Sequence, residues 1–244
     1  MKINMNVLYV KKNKGPFAIF FALLLFTSSL SAQTVVYDDF DGNKSLIYGE
    51  RTGVLDTSAK NPAIDAVNGS QTCALYIRNG SKKFDNIKMP LPALLTDVSA
   101  FATYLGVPPK ITMKIFTTAP PGTLVEILLG NHKGNNDYPA GTNSQYQAYT
   151  TVSNKWEQLE FKFSQIPQGS ETPTTQIDQV TLLFNPNSVN SDKYFFDELS
   201  GPPLVVSDEK TEVAKPANEP KKVKTATKAI SEKKTGALKK VTKK

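Results

Sequence analysis

Between residues 34 and 201 the chain is built from short runs in which every second residue is apolar or aromatic, broken by clusters of Gly, Pro, Asn and Asp. A period of two is that of a half-buried strand. The runs TVVYDDF, TCALYIR, FATYL, ITMKIFTT, LVEILLG, QYQAYTTV, KWEQLEFKF, IDQVTLLFN and KYFFDEL are rich in β-branched and aromatic residues, which suit a pleated surface. None of the intervening segments carries the apolar stripe of an amphipathic helix. Strands at this spacing, joined by turns such as APPG, predict an all-β fold, a two-sheet antiparallel β-sandwich. Alternation assigns Ile111, Met113 and Ile115 to the core, with Leu159, Phe161 and Phe163, and with Val180, Leu182 and Phe184.

Two residues sit awkwardly in this pattern. Trp156 has the opposite parity from Leu159, Phe161 and Phe163, beside Gln158, Glu160 and Lys162, so it is either a displaced core residue or an exposed aromatic platform. In KYFFDELSG the alternation puts Phe195 and Leu199 on one face with Asp197 between them. An unpaired buried carboxylate is too costly to keep, so a metal, a basic partner or backbone donors must satisfy it.

The two ends differ from the middle. Lys2, Lys11, Lys12 and Lys14 precede the apolar run PFAIFFALLLF, which is followed by TSSLSA. This is the layout of a secretory signal peptide over residues 1–32, cut after Ala32; the apolar run is too short for a bilayer-spanning helix. No cysteine follows to carry a lipid anchor. The folded domain is expected over 33–203, which is ample for one core. From residue 204 onward the chain has no aromatic residue and too little apolar area to offset its ordering entropy, so residues 204–244 are expected to be a disordered tail.

Charge follows the same division. The net +7 belongs to the ends, because residues 207–244 hold twelve lysines against five acids and residues 33–206 hold 13 basic against 17 acidic groups. The tail is either a solvated tether or a polycationic arm for anionic polymers. Lysine without interleaved arginine or aromatics gives attraction without base readout, which excludes specific nucleic-acid recognition through it. Cys73 is the single cysteine, so no internal disulfide forms. Its setting, QTCALYI, is that of a small buried hydrophobe.

Candidate catalysis is thin. Glu157 and Glu160 are three apart on a strand and point to opposite faces, so they are not a glycosidase pair. Glu126 and Asp178 have nothing around them in sequence to mark them, and the solvated face of a strand is the expectation for both. His132 is the single histidine, no G-x-S-x-G elbow, P-loop, dinucleotide fingerprint or CxxC is present, and enzyme activity is not expected.

The motif order is more informative. YDDFDG, NPAIDAVNGSQTCALYIRNGSKKFDNI, KITMKIFTTAPPGTLVEILLGN, YQAYTTVSNKWEQLEFKFSQIP and IDQVTLLFNPNSVNSDKYFFDELSG follow one another along residues 35–201. This series resembles the galactose-binding-like β-jelly-roll domains found as carbohydrate-binding modules in exported bacterial polysaccharide-degrading proteins. The resemblance implies a jelly roll whose first and last strands are neighbours. It also implies a structural Ca²⁺ held by Asp39 and Asp41 of DDFDG and Asp197 of FFDEL, with the side chain of Asn68 or carbonyls of the VNGS loop. Hard oxygen ligands from distant strands would cross-link a domain that has no disulfide. The alternative is that Asp197 accepts protein hydrogen bonds and no metal binds.

For function the resemblance implies an exported, non-catalytic module that binds a polysaccharide or cell-surface glycan. The competing class is a structural or adhesive envelope protein that keeps the scaffold and grips anionic polymers with its tail; a glycoside hydrolase or lyase is third. Sugar recognition pairs a flat aromatic with amide and carboxylate side chains. Such residues gather in GNHKGNNDYPAG, giving Asn131, His132, Asn136, Asp137 and Tyr138, followed by Tyr146 and Tyr149, with Trp156 and Tyr104 as further aromatics. The same Asn, Gly and Asp residues are also what any long turn prefers.

Overall fold

The computed structural model describes residues 33–102, 109–134 and 138–205. The expected leader, residues 206–244 of the expected tail, Tyr104, Asn136 and Asp137 lie outside the described residues. Ten strands are present: β1 (Val35–Asp38), β2 (Val54–Lys60), β3 (Thr72–Ile77), β4 (Asn86–Pro90), β5 (Ile111–Thr117), β6 (Leu124–Gly130), β7 (Thr142–Tyr149), β8 (Trp156–Gln165), β9 (Gln179–Phe184) and β10 (Lys193–Gly201). All their pairings are antiparallel.

Hydrogen-bonded neighbours run β2-β3-β10-β5-β8-β7-β6-β9-β4, with β1 added against the end of β10. β8 makes this path a sandwich, because it serves two sheets. Its first part, Trp156 to Phe161, pairs with β5, and its last part, from Lys162 to Gln165, pairs with β7. The first sheet therefore holds β1, β2, β3, β10, β5 and the start of β8; the second holds the end of β8, β7, β6, β9 and β4. The fold is a two-layer antiparallel β-sandwich of the jelly-roll type, with the first and last strands adjacent.

The facing sides of the two sheets make one core. Ile111, Met113, Ile115, Leu159, Phe161, Val180, Leu182 and Phe184 all lie in it, and Phe163 packs at its margin. Phe184 of the second sheet stacks on Tyr194 of the first, with ring centroids 4.5 Å apart, and touches Tyr76 and Phe196. Truncating a ring this buried costs about 3–5 kcal/mol.

Three expectations are corrected. Phe101 of FATYL ends a 3-10 turn, Val98–Phe101, whose cap Asp97 accepts the Ser99 N–H. The strands β2 and β4 escaped the pattern because VLDTSAK is a polar edge strand with Val54 exposed, and NIKMP is only five residues long and ends in proline. The third correction concerns KYFFDELSG. Glu198 adopts φ 46° and the β10–β5 register slips between Asp197 and Ser200. That bulge reverses the parity of the strand. Tyr194, Phe196 and Leu199 face the core, whereas Phe195 and Asp197 point to the other side of the sheet.

That other side is covered as well. Phe195, Phe116 and Trp156 lie opposite one another on adjacent strands and pack edge to face. Residues 61–71 close over this row, with the indole N–H of Trp156 donating to Asn61 Oδ1 at 2.9 Å. Trp156 is thus buried, 4 % exposed, and not a platform. Cys73, fully buried here too, has its thiol pushed up to about 12 by burial.

Candidate functional site

The outer face of the second sheet is a groove of about 560 Å³. Register sets its floor in rows across the strands. One row carries Asn86, Leu183, Glu126 and Gln147; the next carries Lys88, Thr181, Leu128 and Gln145. Gln179 and Thr142 flank Gly130 in the third. These are the positions that alternate with the core residues Val125, Ile127, Val180 and Leu182. The floor is deep: Glu126, Gln145, Gln179 and Thr181 are 7–8 % exposed although they line the groove.

Amide side chains organise this floor. Gln165 Nε2 donates to Gln145 Oε1 at 2.8 Å, Gln145 Nε2 donates to Glu126 Oε2, and Gln147 Nε2 donates to the same Glu126 oxygen at 2.8 Å. Aligned dipoles of this kind polarise one another. At the rim, Lys88 pairs with Glu50 at 2.9 Å.

Exposed aromatics stand at both ends of the groove. Phe84, 62 % exposed, precedes β4 at one end, and Tyr138, 56 % exposed, belongs to the β6–β7 connection at the other. Buried polar groups anchor the chain close to each end. The Arg78 guanidinium donates to the carbonyls of Lys82, Lys83 and Ser188 and to Ser188 Oγ and Asn190 Oδ1, and Asn187 N–H donates to Lys83 O. Asp85 accepts from Thr52, Tyr76 and Asn79, fixing the turn that ends at Phe84. At the far end, Asp178 accepts the His132 N–H at 2.8 Å and meets its Nδ1 at 2.5 Å. Asn131 donates to Gln176 O. Gly130 is required there, because a Cβ would sit 2.2 Å from Gly141 O.

Of the residues expected to touch a sugar, Asn131 and Tyr138 line the groove. His132 positions the same connection through Asp178. Tyr149 is exposed, beside Gln147. Tyr146 is a correction: it lies in the core, 1 % exposed, against Phe163, because its parity is that of Ala148. Trp156 is another, buried under residues 61–71. Sequence reasoning missed Phe84, which precedes an unrecognised strand. It also took Glu126 for a solvated position, although the parity shared by Leu124, Glu126 and Leu128 with Gln145 and Gln147 marks one common face. The two strand glutamates are engaged elsewhere, Glu157 with Thr151 and Glu160 with Lys110.

The aspartates form a second cluster, where β1 meets β10. Burial, the largest single effect on Asp39, raises its carboxyl, but the N–H groups of Asn43, Asp41 and Gly42 and the side chain of Asn43, all donating to it, together hold it below the usual range. Asp41 takes the hydroxyls of Ser70 and Thr72, and these hold it below the usual range. The same two hydroxyls reach Thr72 O and Phe40 O. Asp197 accepts Asn68 Nδ2 at 2.9 Å and the Glu198 N–H at 2.8 Å. Burial pushes its carboxyl up to about 6, against the opposing pull of these hydrogen bonds. The structure thus brings Asn68 to Asp197, and Asp41 to Ser70, whose N–H donates to Asn68 Oδ1. Among the described residues no three His, Cys, Asp or Glu side chains converge as a metal cage.

No protein-family model matches this chain, and no curated protein does. Solved structures similar to it include the family 11 carbohydrate-binding module from Clostridium thermocellum in complex with a β-1,3-1,4-mixed-linked tetrasaccharide, at 15 % identity over 68 % of this chain and 94 % of that one, TM-score 0.43. A family 30 carbohydrate-binding module aligns at 12 % over 70 % and 94 %, TM-score 0.41. The family 29 module CBM29_1 from Piromyces equi aligns at 11 % over 70 % and 90 %, TM-score 0.34. These are distant likenesses, and the chemistry of the groove rests on its own residues. No helix among the described residues is long and apolar enough to cross a membrane.

Proposed function

We propose that this is an exported, non-catalytic protein that binds a stretch of polysaccharide or cell-surface glycan in the groove of the second sheet. The observation that carries this reading is the pairing of a floor of Asn, Gln, Glu and Thr side chains with exposed rings, Phe84 and Tyr138, at opposite ends. Such side chains trade hydrogen bonds with sugar hydroxyls, and rings pack on the C–H faces of pyranoses. From Leu124 to Asn131 the floor is roughly 23 Å long at about 3.3 Å per residue, which suits several sugar units of a chain.

Affinity electrophoresis of the full chain in gels containing soluble glucans, xylans, mannans or pectins tests the proposal. Retardation by one of these, lost in Phe84→Ala with Tyr138→Ala, is the expected result. Binding only to anionic polymers, reversed by salt, would favour the envelope-adhesion reading through the basic tail instead.

A structural Ca²⁺ at the aspartate cluster is a separate proposal. It is supported by the convergence of oxygens alone on Asp41: both carboxylate oxygens, two hydroxyls and the carbonyls those hydroxyls reach. A hard cation takes such a set. Asp41 would be its anchor, with Asp39, Asn68 and Asp197 as neighbours that would exchange a protein hydrogen bond for a metal bond.

A further inference from the structure

We infer that Glu126 is the residue by which the groove reads a sugar hydroxyl, and that its carboxylate restricts the groove to neutral chains; this rests on the glycan reading above. Glu126 is nine-tenths buried and lies in the first row of the floor, between Leu183 and Gln147. Both amides that reach it, Gln145 and Gln147, donate to Oε2. Among the described residues no donor reaches Oε1, which is left for a ligand. The relay from Gln165 through Gln145 fixes the orientation of the carboxylate, so the acceptor is set in place before any ligand arrives. A hydroxyl donating to it makes a charge-assisted bond, stronger than one to an amide oxygen.

The same charge selects against acidic sugars. Lys88, the cation that lines the groove, is already paired with Glu50 at 2.9 Å. Lys162 lies in the same row beyond Gln147, two strand spacings or roughly 10 Å from Glu126, and is exposed, so at physiological salt its attraction is largely screened. Asp178 is committed to His132. A uronate entering the groove would therefore meet a buried carboxylate with no unpaired cation lining the groove among the described residues, and like charges in a low-dielectric site repel.

The experiment compares one polysaccharide in two forms: the neutral hexose polymer that retards the full chain most, and the same polymer oxidised at C6 to its uronate. Salt at 0.5 M, where the screening length is only a few ångströms, suppresses the tail. Wild type should bind the neutral form at least about tenfold more tightly. Glu126→Gln, nearly isosteric, should bind the neutral form about tenfold more weakly and narrow the gap between the two. If Glu126→Gln does not fold, as thermal melting will reveal, Leu183→Lys sets an ammonium directly opposite the intact carboxylate and should narrow the gap in its place. An unchanged gap in a folded variant overturns the inference and leaves glycan binding standing. Failure of wild type to bind any neutral polymer overturns both.

Discussion

Asn68 Nδ2 donates to Asp197 Oδ2 at 2.9 Å across 129 residues of chain, and this bond ties the loop covering one sheet to the strand that closes the fold. Asn68 is at the same time the loop's own hub: its Oδ1 accepts the Ser70 N–H, and its carbonyl accepts Asn61 Nδ2. Asn61 in turn accepts the indole of Trp156. A single chain of hydrogen bonds therefore runs from the carboxylate at the bulge to the aromatic row.

Asn68→Ala should destabilise the domain by about 2 kcal/mol, since it leaves a buried carboxylate oxygen unpaired. For a domain of this size that is roughly 4–8 °C in melting temperature. Thermal unfolding followed by circular dichroism measures it, and an unchanged melting point would remove the bond from the account of stability.

The pH dependence of stability should carry the signature of Asp197. Its folded carboxyl is pushed up to about 6, above the ordinary aspartate value near 4. A raised folded value means that the native state keeps a proton the unfolded chain has released. The contribution is complete below about pH 4 and is lost as pH rises through about 6. Measured in chelator, wild type should lose melting temperature relative to Asp197→Asn over that window; a difference independent of pH would contradict it.

Phe84→Ala and Trp156→Ala should separate binding from folding. Phe84 is largely exposed, so its removal should leave the melting temperature nearly unchanged while weakening glycan retardation severalfold. Trp156 is buried with its N–H satisfied, so its removal should cost about 3–5 kcal/mol, with any binding loss secondary to unfolding.

Arg78→Lys should loosen the Phe84 wall. A lysine cannot reproduce five directed hydrogen bonds from one planar fork, so several buried acceptors would go unpaired. Faster amide hydrogen exchange at Asn187, whose N–H donates to Lys83 O, together with weaker retardation is the expected result. Slow exchange in the variant would show that the two loops hold each other without it.

Chelation should lower the melting temperature if Ca²⁺ sits at the aspartate cluster. Asp41→Ala should lower it in calcium and abolish the chelator effect. Identical melting with and without chelator would leave the hydroxyls of Ser70 and Thr72 as the partners of Asp41.

The residue order by itself determined the sandwich, because a period of two over many short runs has few other solutions, and it named the cores of β5, β8 and β9 correctly. It also showed that Asp197 would be buried and would need partners. Only the tertiary structure decided on which side Asp197 lies: a bulge at Glu198 costs one residue of register and reverses every side chain beyond it, and nothing local to KYFFDELSG announces that. The groove was likewise decided in three dimensions. Glu126, Gln145, Gln147 and Gln165 look like solvated strand positions one strand at a time, and they become a connected floor only when β6, β7 and β8 are set side by side in register. Phe84 stands at one end because Arg78 ties its turn to the distant Ser188 and Asn190, and at the other end Asp178 holds His132 of the connection that carries Tyr138, 46 residues away along the chain.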